Sequence, residues 1–166
     1  WRINPEEHAV YLTFDDGPSE RTVEILEILR EKDVKATFFV IGRTDEDSLN
    51  LMKEIVEEGH AIAMHTYSHR YTDIYASVED YLADMYKLFV LIRDTTGVEP
   101  SIFRFPGGSI NGYNKGVYQQ LEAEMLRRGF VPYGWNLSSG DASGTKASAA
   151  QSINNVVGPA KKLDRG

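Results

Sequence analysis

Cysteine is absent from all 166 residues. Disulfide scaffolds, thiolate metal sites and cysteine nucleophiles are thereby excluded, and a chain without thiols suits either redox compartment. Long apolar runs are also missing. None approaches the roughly 20 residues a spanning helix needs, and no signal peptide is recognisable. Positive charge is scarce: 18 Lys and Arg stand against 25 Asp and Glu, a net charge of −7. The basic residues are scattered, so no polybasic membrane patch forms. A nucleic-acid partner is disfavoured, because its phosphates demand a basic face; a neutral sugar is not. There is no repeat, low-complexity block or linker. The length suits a single domain, 1–166, with a sizeable core. Aromatics are plentiful at 11%, which excludes intrinsic disorder. The chain opens at Trp1 rather than Met, and is expected to be a mature or trimmed piece of something longer.

What is present is an alternation of strand and helix patterns. Ala9–Phe14 is short and β-rich and stops at Asp15-Asp16-Gly17-Pro18, a turn signal. Ser19 then caps a helix carrying Val23, Ile25, Leu26, Ile28 and Leu29 at helical spacing. Lys35–Ile41 is a continuous apolar run of the kind found in buried strands. Asp47–Glu58 is helical and ends at Gly59, and Ala61–Met64 is a third strand. Ser77 caps a helix running to Gly97. Ser101–Phe103 is a strand followed by the loop Arg104–Gly108. Asn114–Arg128 is helical, Phe130–Trp135 is a fifth strand, Asn136–Thr145 is a loop, and Ala147–Val157 is a weak helix. This order predicts a parallel sheet with helices packed outside it. In such folds sites form in loops after the carboxyl ends of strands. Four of those loops carry polar clusters here: Asp15 with Asp16, His65 with His69, Arg104, and Asp141.

Each cluster has an ordinary and a chemical interpretation. Asp15-Asp16 is either a plain turn or a pair of carboxylates that point in different directions from an extended chain. In the second case one binds a metal while the other reaches a water. His65 and His69, four apart, are either two polar loop histidines or two imidazoles brought to one face. Two of the four histidines in the chain fall here. His8 and His60 have no partner at ligand spacing and are taken as structural. Two His and one carboxylate make a three-ligand set with open positions. It suits catalytic zinc, or iron, nickel or cobalt. Arg104 forms either a surface salt bridge or a pair that orients the free carboxylate.

Three segments in this order, Thr13-Phe14-Asp15-Asp16-Gly17-Pro18, His65-Thr66-Tyr67-Ser68-His69 and Arg104-Phe105-Pro106-Gly107-Gly108, resemble the motifs of the polysaccharide deacetylases (carbohydrate esterase family 4, the NodB-homology domain). The match runs from about Val10 to Asp141. The resemblance implies an α/β fold, a distorted (β/α)7-type barrel, and a metal-dependent deacetylase. It implies Asp15 as catalytic base, Arg104 as its orienting partner, and Asp16, His65 and His69 as ligands of a metal, usually zinc. It places Pro106 and Gly107 in a wall of the substrate groove and the backbone N–H of Tyr67 at the oxyanion. Asp141 matches a fourth motif, with Ala142 where Trp is common; Trp135 either supplies the aromatic wall instead or packs in the core. The implied partner is an N-acetylated glycan outside the cytoplasm, so the implied location is extracellular or cell-surface.

The family's last motif, a Leu-x-His bearing a general acid, has no counterpart, since no His follows His69. The expectation is therefore a domain incomplete at its C-terminus, lacking the final strand or strands and continuing past Gly166. The leading activity is removal of N-acetyl groups from N-acetylglucosamine in peptidoglycan or chitin-like polymers. O-deacetylation of a polymer such as acetylxylan and glycan binding without turnover are the alternatives.

Overall fold

In the computed structural model, which describes residues 9–142 and 147–162, strand β1 (Leu12–Gly17) lies parallel to β2 (Ala36–Val40). Next to β2 are β3 (Ala61–Met64), β4 (Ile102–Phe103) and β5 (Val131–Pro132), all parallel and in sequence order. A helix follows most strands. These are α1 (Glu20–Lys32), α2 (Glu46–Glu57), the short α3 (Tyr71–Ile74), α4 (Val78–Thr96), α5 (Tyr118–Arg127) and α6 (Ala149–Ala160). The strand–helix alternation expected from the sequence is present, and every described strand delivers its carboxyl end to the same edge of the sheet.

The chain reads as one domain in sequence, but two compact units are distinguished. One is Leu12–Gly134; the other joins the segment up to Tyr11 with the segment from Trp135. No composition shift marks either boundary. The second unit contains α6, whose cap Ser148 accepts from the Gln151 N–H, while Asn155 Nδ2 donates to the Ser139 carbonyl at 2.8 Å. His8 and part of the 136–145 loop lie outside the described residues.

Strand β2 shows how the larger unit is layered. Successive side chains point to opposite faces. Phe38 and Val40 join Leu26, Leu29, Met52, Ile55, Met85, Leu88 and Met125 in the core between sheet and helices. Phe39, also buried, lies on the other face, beneath the Arg104 guanidinium at 4.1 Å. Ser77 caps α4 by accepting from the Asp80 N–H at 3.0 Å, and Gly97 ends it in a left-handed conformation, φ +75°, which glycine adopts without a steric penalty.

Several boundaries differ from the sequence expectation. β1 starts at Leu12 and runs on to Gly17; Val10 and Tyr11 are exposed. Helix α5 begins four residues after Asn114. The segment before it is a turn built by side chains: Asn111 accepts from the N–H groups of Tyr113 and Asn114, and Asn114 accepts from Asn111. Asparagine competes in this way with the helical backbone. β5 is only two residues long, and the carbonyls of Tyr133 and Gly134 turn to Arg104 instead of extending the ladder.

His60 is structural, as expected. Its ring is buried against Phe38, and Nδ1 accepts from the Ala36 N–H at 3.3 Å. Burial, helped by nearby Lys35, pushes its pKa below the usual 6.5. The folded protein therefore holds the ring neutral while the unfolded chain binds a proton near pH 6.5. The resulting stability is fully present above that pH and is lost as pH falls toward the lowered folded value. The urea midpoint of the wild type is expected to drop more steeply between pH 7 and 5 than that of His60→Asn. Parallel curves would refute this.

Candidate active site

At the carboxyl end of β1 the register slips: Asp15 pairs with Phe39, but Gly17, not Asp16, pairs with Val40. Asp16 is the extra residue of a bulge, with φ +67°. A bulge re-aims side chains. Here it overrides the alternation expected of neighbours in a strand. Both carboxylates face His65: its Nε2 lies 3.3 Å from Asp16 Oδ1 and 4.0 Å from Asp15 Oδ2.

His65 follows β3 and is buried. Its Nδ1 meets the Arg104 carbonyl at 2.9 Å. A carbonyl only accepts, so Nδ1 carries the proton and Nε2 presents its lone pair. His69 Nε2 lies 3.1 Å from the same Asp16 oxygen. The three ligand atoms all lie within 4.8 Å of one another. Two ligands of a tetrahedral zinc, each about 2.0–2.1 Å from it, are about 3.3 Å apart. The two Asp16–His spacings, 3.3 and 3.1 Å, match that figure, and two imidazoles with one carboxylate are a donor set such ions accept. The residues fit the metal.

Electrostatics tie the three together. A hydrogen bond from His69 lowers the pKa of Asp16, and Asp16 in turn raises that of His69. Burial lowers that of His65 and favours its neutral form. The loop is also strained. Thr66 (φ +83°) and His69 (φ +53°) join Asp16 in the left-handed region. That region is uncommon for any residue but glycine and an outlier for a β-branched one. Each such residue costs about 1–3 kcal/mol, and such strain clusters at functional sites.

Arg104 sits at the centre. Its side chain is buried, and NH1 donates to Asp15 Oδ1 at 2.7 Å and to Thr13 Oγ1 at 2.9 Å. Nε donates to the Tyr133 carbonyl and NH2 to the Gly134 carbonyl. The contact is thus not a surface salt bridge: the Arg104 side chain is buried where it meets Asp15. One carboxylate oxygen of Asp15 is held by Arg104; the other points toward the His65 side. Arg104 thus sets Asp15 through its side chain and His65 through its backbone.

The remaining predicted residues divide. Pro106 is buried, and its carbonyl accepts from Tyr75 Oη at 2.8 Å and Asn111 Nδ2 at 2.9 Å. Gly107 has φ +75°, and a Cβ there would lie 2.8 Å from the Tyr71 ring. The Tyr71 ring in turn abuts His69 edge-on, with Tyr113 beside it. Tyr67 requires a correction. Its N–H, expected at an oxyanion, donates to Asp84 Oδ2, because the 66–68 turn aims it at α4. Trp135 and Asp141 belong to the second unit. Trp135 is 51% exposed, which rules out the core-packing alternative, and Asp141 accepts from Ser139 Oγ. Sequence reasoning missed Thr13, Tyr71 and Asp84. Only Thr13 had a signal, its place two residues before Asp15 in the first motif.

A parallel α/β sheet whose strand ends gather two aspartates, two histidines and an arginine is the architecture of the carbohydrate esterase family 4 catalytic domains. The chain belongs to the polysaccharide deacetylase family, whose model matches residues 2–126. Over 98% of its length it superposes on the catalytic domain of peptidoglycan N-acetylglucosamine deacetylase from Eubacterium rectale. The TM-score is 0.92 and the identity 38%, and 75% of that chain is covered. It is 37% identical over 166 residues to a peptidoglycan-N-acetylglucosamine deacetylase of Bacillus cereus, covering 97% of this chain and 59% of that protein. It is 30% identical to chitin deacetylase 1 of Cryptococcus neoformans var. grubii, covering 98% of this chain and 36% of that one. The chain thus spans 59% and 36% of the length of these two curated relatives.

Proposed function

We propose that this chain carries the base and metal-ligand half of a metal-dependent deacetylase. Its substrate would be N-acetylglucosamine units of a cell-wall or extracellular glycan, peptidoglycan or a chitin-like polymer. The observation that carries this is the Asp15–Arg104 pair set beside the Asp16, His65 and His69 cluster. Asp16 Oδ1, His65 Nε2 and His69 Nε2 would hold the ion, zinc first, with cobalt, nickel or iron as alternatives. When bound, such an ion supplies a Lewis acid that polarises the acetyl carbonyl and makes a water more acidic.

The chain's own residues account for the rest of the nucleophilic half-reaction. Arg104 binds Asp15 Oδ1 and leaves Oδ2 to take a proton from water. The water oxygen then bonds to the carbonyl carbon, the C–N bond breaks, and the proton taken from water is passed to the departing nitrogen, yielding acetate and an amine. Pro106, Gly107 and Tyr71 would wall the groove beside His69. Trp135 and Asp141 are proposed as further glycan contacts. Glycans of this kind lie outside the cytoplasm, which puts the proposed place of action at or beyond the cell surface. Among the described residues no helix is long and apolar enough to cross a membrane.

The test is acetate release from N-acetylglucosamine oligomers by the full-length protein. Release is expected with zinc, to fall to background after chelation, and to return on adding zinc. Chelator-resistant release would overturn the metal dependence. Release from acetylated xylan alone would replace the amide by an ester.

A further inference from the structure

Tyr67 and Ser68, between the two histidines, are held by three residues, Asp84, Lys87 and Gly42. The carboxylate of Asp84, on α4, accepts from the Tyr67 N–H with Oδ2 and from the Ser68 N–H with both oxygens, Oδ1 at 3.1 Å and Oδ2 at 3.2 Å. The Gly42 N–H donates to the Tyr67 carbonyl at 2.9 Å. Lys87, three residues after Asp84 and so on the same helix face, places Nζ 3.8 Å from the centre of the Tyr67 ring. The bare Cα of Gly42 lies close against that ring: a Cβ there would fall 2.4 Å from Cδ2.

The arrangement has a physical purpose. Thr66 and His69 flank Tyr67 and Ser68 in left-handed conformations, so a free loop would relax and part the two imidazoles. Two hydrogen bonds to one carboxylate are stronger than bonds to a neutral acceptor, and they fix two successive peptide planes. The other face of α4, bearing Tyr81, Met85, Leu88 and Ile92, is buried in the core. The anchor is therefore as rigid as the fold.

We infer that Asp84 is a positioning residue that, with Lys87 and Gly42, locks the His65–His69 loop into ligand geometry. The inference rests on the proposed metal centre and adds to it a part of the fold outside the three motifs. Asp84 touches neither ion nor substrate; it acts by holding the backbone.

The test is Asp84→Asn in the full-length protein, which keeps the shape but removes the charge and replaces one accepting oxygen by an amide group that donates. Zn(II) affinity is read by competition with a chromophoric chelator. Ligand geometry is read from the visible spectrum of the Co(II)-loaded protein, and folding from far-ultraviolet circular dichroism. The expected result is a folded variant with at least tenfold weaker Zn(II) binding and an altered Co(II) spectrum. Asp84→Glu, with both oxygens, is expected to fall between. Binding within twofold of wild type and an unchanged spectrum overturn the inference. If Asp84→Asn does not fold, Lys87→Met decides: about threefold weaker binding supports the lock, and no change overturns it. A wild type that binds neither ion overturns the metal centre itself, a failure visible before any variant is made.

Discussion

Asp15→Asn is expected to lower acetate release by roughly 10²–10⁴-fold, the usual contribution of a positioned general base, while Zn(II) affinity changes little. The reason is the division of labour between neighbours. Asp16, His65 and His69 supply the ligand atoms, whereas Asp15 Oδ1 is committed to Arg104 and Oδ2 faces the site. Asparagine keeps an oxygen for Arg104 but cannot take a proton from water at neutral pH. Equal release by both forms, measured on purified glycan oligomers, would sink the assignment. Loss of Zn(II) binding in Asp15→Asn would show that the two carboxylates do not divide the work.

Arg104→Met is expected to be the most damaging single change to stability. Arg104 is 3% exposed. It donates to Thr13 Oγ1, Asp15 Oδ1 and the carbonyls of Tyr133 and Gly134, drawing β1, β4 and the chain after β5 together. Removing one partner of a fully buried ion pair costs about 3–5 kcal/mol because the other charge is left uncompensated; Asp15 keeps 29% of its side chain exposed, so the loss is expected at the lower end of that range. A typical domain has only about 5–15 kcal/mol in total. Activity is expected to fall with it, since Asp15 loses its only described cation. Arg104→Lys is not a rescue: a compact ammonium cannot span four acceptors in a planar fork. Urea unfolding of both variants checks this; a loss below about 1 kcal/mol for Arg104→Met would contradict it.

The alternation of strands and helices was legible because apolar periodicity is local. β3 falls where its Ala61–Met64 pattern placed it, and α4 runs between the caps Ser77 and Gly97. The short α3, the late start of α5 and the two-residue β5 were not legible. Each is decided by side chains that replace backbone partners, such as Asn111 and Asn114 before α5 and Arg104 beyond β5. Trp135 illustrates the same limit: its type suits a core, yet it stands half exposed in a second unit that no composition shift announced.

By itself the sequence determined which groups are available: two aspartates, two histidines four apart and an arginine, each after a strand in a chain that alternates β and α. Only the tertiary structure decided how they face one another. The bulge at Asp16 turns adjacent carboxylates to one side, where strand alternation would have parted them. The Arg104 carbonyl, 39 residues from His65, fixes which imidazole nitrogen is free. Asp84, 16 and 17 residues from the loop it holds, takes the Tyr67 N–H that the motif alone offered to substrate. In a sequence Asp84 is one more acid on a solvated helix face. It becomes a clamp only because packing the far side of α4 into the core aims the near side at a strained loop.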